Sequence, residues 1–140
     1  MMKFALTFAI AVFVLPKTST AICLEPVATQ AEILESWYNI SNVVFVGKLQ
    51  NLRNTRQGSV QAEYIVTRAV KGVKDGQLVK VITSIDPSDL PLLLPFDKKE
   101  EWVVYGVLDI HKEIRSSECS PTKSVKFAEK ELEYFSKLGK

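Results

Sequence analysis

The apolar run from Val43 to Leu49, VVFVGKL, limits the folds open to this chain more than any other stretch. A strand drawn through it is apolar on both faces, so both faces must be covered. Gly47 interrupts the run and permits the bulge or sharp coil that a small barrel needs to close. Downstream, Val60, Ala62, Tyr64 and Val66 alternate with Gln61, Glu63 and Thr67, the period of a half-buried strand. The polar segment NLRNTRQGS, residues 51–59, is then the hairpin connection between these two strands. Lys71 to Gly76 supplies a turn and LVKVIT, residues 78–83, a third strand, which makes an antiparallel meander. WVVYGV, residues 102–107, reads as a fourth strand with Gly106 as a second bulge, and a fifth is expected near residues 114–119.

Helices are expected on either side of this sheet. In TQAEILESWYNIS, residues 29–41, the apolar positions Ile33, Leu34, Trp37, Tyr38 and Ile40 fall at helical spacing, and Thr29 with Glu32 forms a capping-box pattern. From Val125 onward, Ala128, Leu132, Phe135 and Leu138 share one helical face, with Gly139 placed to end it. Between the third and fourth strands, Pro87, Pro91 and Pro95 exclude a helix or a central strand from residues 84–101. That segment carries Leu90, Leu92, Leu93 and Leu94, and reads either as a lid over one barrel end or as a partner-binding ridge.

Lys3 followed by the apolar run from Phe4 to Pro16 and the small-residue stretch ending at Ala21 reads as a secretory signal peptide, residues 1–21. A retained anchor is the alternative, although the run is short for a membrane span. Ile22-Cys23 lacks the pattern of a lipid-modified cysteine. The expected product is a secreted, periplasmic or extracellular protein with a single domain over residues 22–140 and no membrane span. The precursor carries a formal charge of +2, but removing residues 1–21 takes away Lys3 and Lys17. Sixteen basic residues then face sixteen acidic ones, so no basic excess points to nucleic acid. In an exported protein Cys23 and Cys119 are expected to pair. Such a bridge would close nearly the whole domain and stabilise it by roughly 4 to 5 kcal/mol in the chain-entropy model.

Catalytic constellations are scarce. His111 is the only histidine, so a His-based metal cluster is excluded and a Ser-His-acid triad would rest on that residue alone, without a nucleophile-elbow motif. Glu100 with Glu101, and Asp86 with Asp89, read as solvated loop carboxylates. There is no glycine-rich phosphate loop, and no cofactor or metal is implied. Tyr64, Trp102 and Tyr105 are expected in the core rather than as a base-stacking platform. Asn39-Ile40-Ser41 is a sequon that would accept a glycan at Asn39 in a eukaryotic secretory pathway.

Taken in order, VVFVGKL, VTRAVKG, LVKVITS, PFDKKEEWVVYGV and ECSPT resemble the successive strands of the netrin-like domain shared with tissue inhibitors of metalloproteinases, especially its bacterial members. The resemblance covers about residues 21–138. It implies a five-stranded antiparallel barrel of the oligonucleotide/oligosaccharide-binding type with flanking helices. In the inhibitors, a Cys-x-Cys at the mature N-terminus places its free amine and first carbonyl on the protease zinc. Here that motif is Ala21-Ile22-Cys23, and the loop before the fourth strand also lacks its matching cysteine, so both ends of one family disulfide are absent. Cys23 and Cys119 match the ends of another. Cleavage after Ala21 would start the chain one residue out of register with the chelating amine, and cleavage after Thr20 would restore it.

The resemblance sets Ile22, Cys23, Leu24, Glu25 and Pro26 beside Leu90, Pro91, Leu92, Leu93, Leu94 and Pro95 as a partner-binding surface at one barrel end. The expected function is therefore a non-enzymatic domain acting through protein contacts, with inhibition of a zinc metalloprotease as one activity. A structural or envelope-associated domain, or a small exported enzyme, are the alternatives.

Overall fold

A computed structural model describes residues 28–55, 59–83, 100–116 and 120–139. Helix α1 (Gln30–Ile40) is followed by strands β1 (Val43–Asn54), β2 (Val60–Lys71), β3 (Leu78–Thr83), β4 (Glu101–Leu108), β5 (Ile114–Ser116) and β6 (Lys123–Ser124). A 3-10 turn (Val125–Phe127) then leads into helix α2 (Glu129–Leu138). Strand pairing runs β1-β2-β3-β5-β4, and β4 returns to β1, so five strands close a barrel with one helix before it and one after. The two-residue β6 adds to β4 outside the ring.

The barrel departs from the expected purely antiparallel arrangement, because β3 and β5 run parallel. Parity requires one such pair. A closed ring of five strands cannot alternate direction all the way round, and with β4 between β3 and β5 in sequence, those two point the same way. The hairpin connection expected over residues 51–59 also starts later. Asn51 to Asn54 continue β1 and pair with Glu63 to Val60. Arg53 secures this polar end by donating from Nε to Gln61 Oε1 at 3.0 Å and pairing with the Glu63 carboxylate.

Alternation along the strands builds two cores. Inward-facing Val43, Phe45, Leu49, Ala62, Tyr64, Val66, Val79, Val81 and Val104 fill the barrel. Phe45 and Tyr64 meet edge to face there, with ring centroids 5.7 Å apart. The outward set from the same strands, Val44, Val46, Val103 and Tyr105, packs under the helices with Trp37, Leu132 and Phe135. This explains why VVFVGKL is apolar on both faces: one face lines the barrel and the other supports the helices. Of the three aromatics expected inside, Tyr64 and Tyr105 are buried and Trp102 packs partly buried against the barrel core.

Gly47 sits at a register shift between β1 and β2, as its sequence position suggests. Gly106 does not mark a bulge; it is a close approach, where a Cβ would lie 2.4 Å from Ile114 Cγ2 and 2.8 Å from Val43 Cγ2.

The capping box at the start of α1 is formed: Glu32 N–H donates to Thr29 Oγ1, and Thr29 N–H donates to Glu32 Oε2 at 2.7 Å. Those bonds from Thr29 hold the Glu32 carboxyl below its usual pKa. At the other end Lys71 Nζ donates to the carbonyls of Tyr38 and Asn39 and lies 4.9 Å from the centre of the Tyr38 ring, placing a cation at the helix C-terminus. The C-terminal helix is shorter than the pattern suggests, because Val125 to Phe127 form the 3-10 turn first.

Candidate functional site

The β4–β5 hairpin is organised by one carboxylate. Asp109 Oδ1 accepts from the His111 and Glu113 backbone N–H groups at 2.8 and 2.9 Å, and Asp109 Oδ2 accepts from Arg115 Nε at 2.6 Å. Two backbone bonds, Asp109 N–H to Glu113 carbonyl and Lys112 N–H to Asp109 carbonyl, close the same loop. Lys112 turns the chain with φ of 61°. The Arg115 hydrogen bond, then that from Glu113, holds the Asp109 carboxyl below its usual pKa. A loop pinned in this way presents its tip residue in a fixed position, and that residue is Ile110, 92% exposed.

Beside the hairpin lies a groove of about 410 Å³. Its walls are Trp37 from α1, Ile82 from β3 and Tyr105, Val107 and Leu108 from β4. Asp109, Arg115, Ser116 and Ser120 add polar groups, and Thr83 completes the lining. The groove lies where the outward face of the sheet runs past the helices. Asn42 ties α1 to this end, accepting through Oδ1 from Leu108 N–H at 2.7 Å and donating its own N–H to the Gly106 carbonyl at 2.9 Å.

Next to the groove three hydroxyls converge: Ser116 Oγ lies 3.2 Å from Ser120 Oγ and 3.0 Å from Thr122 Oγ1, and Ser120 Oγ donates to Thr122 Oγ1 at 3.0 Å. Thr122 Oγ1 also accepts from Tyr105 N–H. This cluster joins β4 to the chain beyond β5. Burial, and then the negative charge of Glu131, push the Tyr105 phenol above its usual pKa, so it stays protonated at neutral pH. Glu131 is itself a buried residue of α2 and meets Lys123 Nζ at 2.5 Å.

The sequence-expected partner surface, Ile22 to Pro26 and Leu90 to Pro95, lies outside the described residues, as do Cys23, Cys119, Asp86, Asp89 and residues 1–21. Asn39 is exposed near the C-terminal end of α1, while Ser41 of the sequon is buried. His111 stands exposed in the hairpin turn. Glu100 is ion-paired with Lys126 and accepts from Ser124 Oγ at 2.7 Å, rather than being a freely solvated loop carboxylate. Among the described residues no three His, Cys, Asp or Glu side chains converge as a metal site would require, and no helix is long and apolar enough to cross a membrane.

Sequence reasoning missed Asp109, Ile110 and the groove. One signal was present: an isoleucine in the turn D-I-H-K-E, where a polar residue is usual.

No protein-family model matches the chain, and no curated protein matches it.

Proposed function

We propose that this chain is an exported, non-enzymatic binding domain that acts through protein contacts at the β4–β5 end of its barrel, with inhibition of a zinc metalloprotease as its activity. The observation that carries the reading is the rigid display of Ile110 beside an apolar groove. Three of the exposed large apolar side chains belong to the hairpin or to the strands it joins: Val107, Leu108 and Ile110. A preorganised apolar anchor next to a concave apolar wall is how protein interfaces concentrate affinity, because little entropy is lost on docking. Chain connectivity adds support. Thr83, a groove wall, leads directly into residues 84–99, the segment that holds Leu90 to Pro95.

The test is titration of the secreted protein into a panel of zinc metalloproteases with a fluorogenic peptide substrate. Stoichiometric inhibition is expected, with a saturable complex that needs the protease zinc. Proteases unaffected by a molar excess overturn inhibition and leave the structural or envelope-associated domain. Turnover of the peptide by the protein alone would overturn the non-enzymatic reading.

A further inference from the structure

We propose that the tip of the β4–β5 hairpin docks as a knob into a protein partner's pocket with an apolar floor and a carboxylate at its rim, Ile110 filling the floor and Lys112 meeting the carboxylate; this rests on reading that end as a protein-binding surface. Asp109 N–H donates to the Glu113 carbonyl, so the loop between them is three residues long, Ile110 to Lys112. In such a loop the last residue takes the left-handed conformation, where glycine is the usual occupant. Here it is Lys112, with φ of 61°, a conformation that strains a residue with a side chain. Ile110 is equally out of place, an apolar residue 92% exposed in a turn that polar residues favour. The turn holds in spite of both, because the Asp109 carboxylate fixes it from the flank of the loop. Two side chains that oppose the local conformation at one tip fit contact with another molecule rather than service to the fold.

The chemistry of the tip defines what it meets. Ile110 is convex and fixed, so its complement is a concave apolar pocket. Arg115 bridges Asp109 and Glu113, and among the described residues Lys112 is in no ion pair, so Lys112 is the cation the tip offers to a partner's carboxylate. One isoleucine and one lysine supply too little apolar area and charge to hold the chain on a bilayer. A rigid pair of this kind suits a protein pocket, since little entropy is lost when it is received.

A zinc metalloprotease that the secreted protein inhibits is the probe. Ile110→Asn should raise the inhibition constant about tenfold or more, and Lys112→Gly about threefold, the size of an exposed charge pair. Lys112→Arg keeps the charge and should hold the wild-type value. Thermal melts separate contact from fold: Ile110→Asn and Lys112→Gly bring in residues that the turn favours, so neither should lower the melting temperature. A fall in melting temperature that accompanies the lost potency overturns the inference, because the two side chains then serve the fold. Inhibition unchanged by Ile110→Asn overturns it and leaves the protein-binding reading standing. Potency that responds to Ile110→Asn but not to Lys112→Gly overturns the rim carboxylate. Ile110-dependent sedimentation with vesicles of phosphatidylcholine and phosphatidylglycerol overturns the protein pocket in favour of a lipid surface. A panel left fully active by the wild-type protein overturns this inference and the inhibitor reading together.

Discussion

The two ends of β4 present the same outward face to different surroundings. At one end Val103 and Tyr105 lie under α2, with the Tyr105 and Phe135 rings 6.1 Å apart and the backbone of β4 paired to β6. At the other, Val107 continues the same face but is 40% exposed, and Leu108 beside it 45%. The strand is equally apolar along its length. Among the described residues, what differs is the reach of the helices: Phe135 of α2 packs on Tyr105 at the first end, and Trp37 of α1 lines the groove at the second. Burial on the outside of this barrel is thus decided by the covering layer, and the surface left over has the composition of a core.

That contrast can be broken by mutation. Phe135→Ala should be the most damaging change, removing the largest apolar group of the covering helix and lowering unfolding free energy by about 3 to 5 kcal/mol in denaturant titration. A loss below 1 kcal/mol would mean the helix layer contributes little to the fold. Val103→Ala and Val107→Ala sharpen the point, because they make the same chemical deletion on one face of one strand. The first should destabilise by about 2 kcal/mol and the second by no more than about 0.5 kcal/mol. Equal values would show that the open end is covered in solution.

The smallest expected effect is a pH response confined to the open end. Asp109 is bound more tightly as a carboxylate in the folded chain, so its folded pKa lies below the ordinary value of 3.8. Its contribution is complete above that value and is lost as pH falls through the lower folded one. The His111 and Glu113 amides should therefore shift together in NMR spectra below pH 3.8, while Val103 and Tyr105 amides do not follow them. Independent titration of the two hairpin amides would rule out Asp109 as their common acceptor.

How much of this was legible in the sequence depends on range. The capping box at Thr29 and the alternation of β2 are local patterns, and both elements form where their residues place them. Asn51 to Asn54 were not legible as strand because three of the four side chains are polar; what holds them is the distant pairing with Val60 to Glu63 and the reach of Arg53. The two residues of β6 carry no period at all. The groove is less legible still, since its walls come from α1, β3, β4 and β5, and Trp37 and Val107 each look locally like ordinary core residues. Only Ile110 announced itself, as an apolar residue in a turn.

The odd number of strands has a mechanical consequence. Five strands oblige the ring to contain one parallel joint, and here it is three residue pairs long, Val81 with Ile114, Ile82 with Arg115 and Thr83 with Ser116. β1 and β2, by contrast, share ten. The joint on the other side of β5 is shorter still, two pairs, Val107 with Arg115 and Leu108 with Ile114, so the ring is weakest around β5. Four residues of the parallel joint, Ile82, Thr83, Arg115 and Ser116, also line the groove, so an occupant spans it and clamps both sides. Binding at this end would register as slowed amide exchange along the joint, coupling the surface that meets other molecules to the closure of the barrel itself.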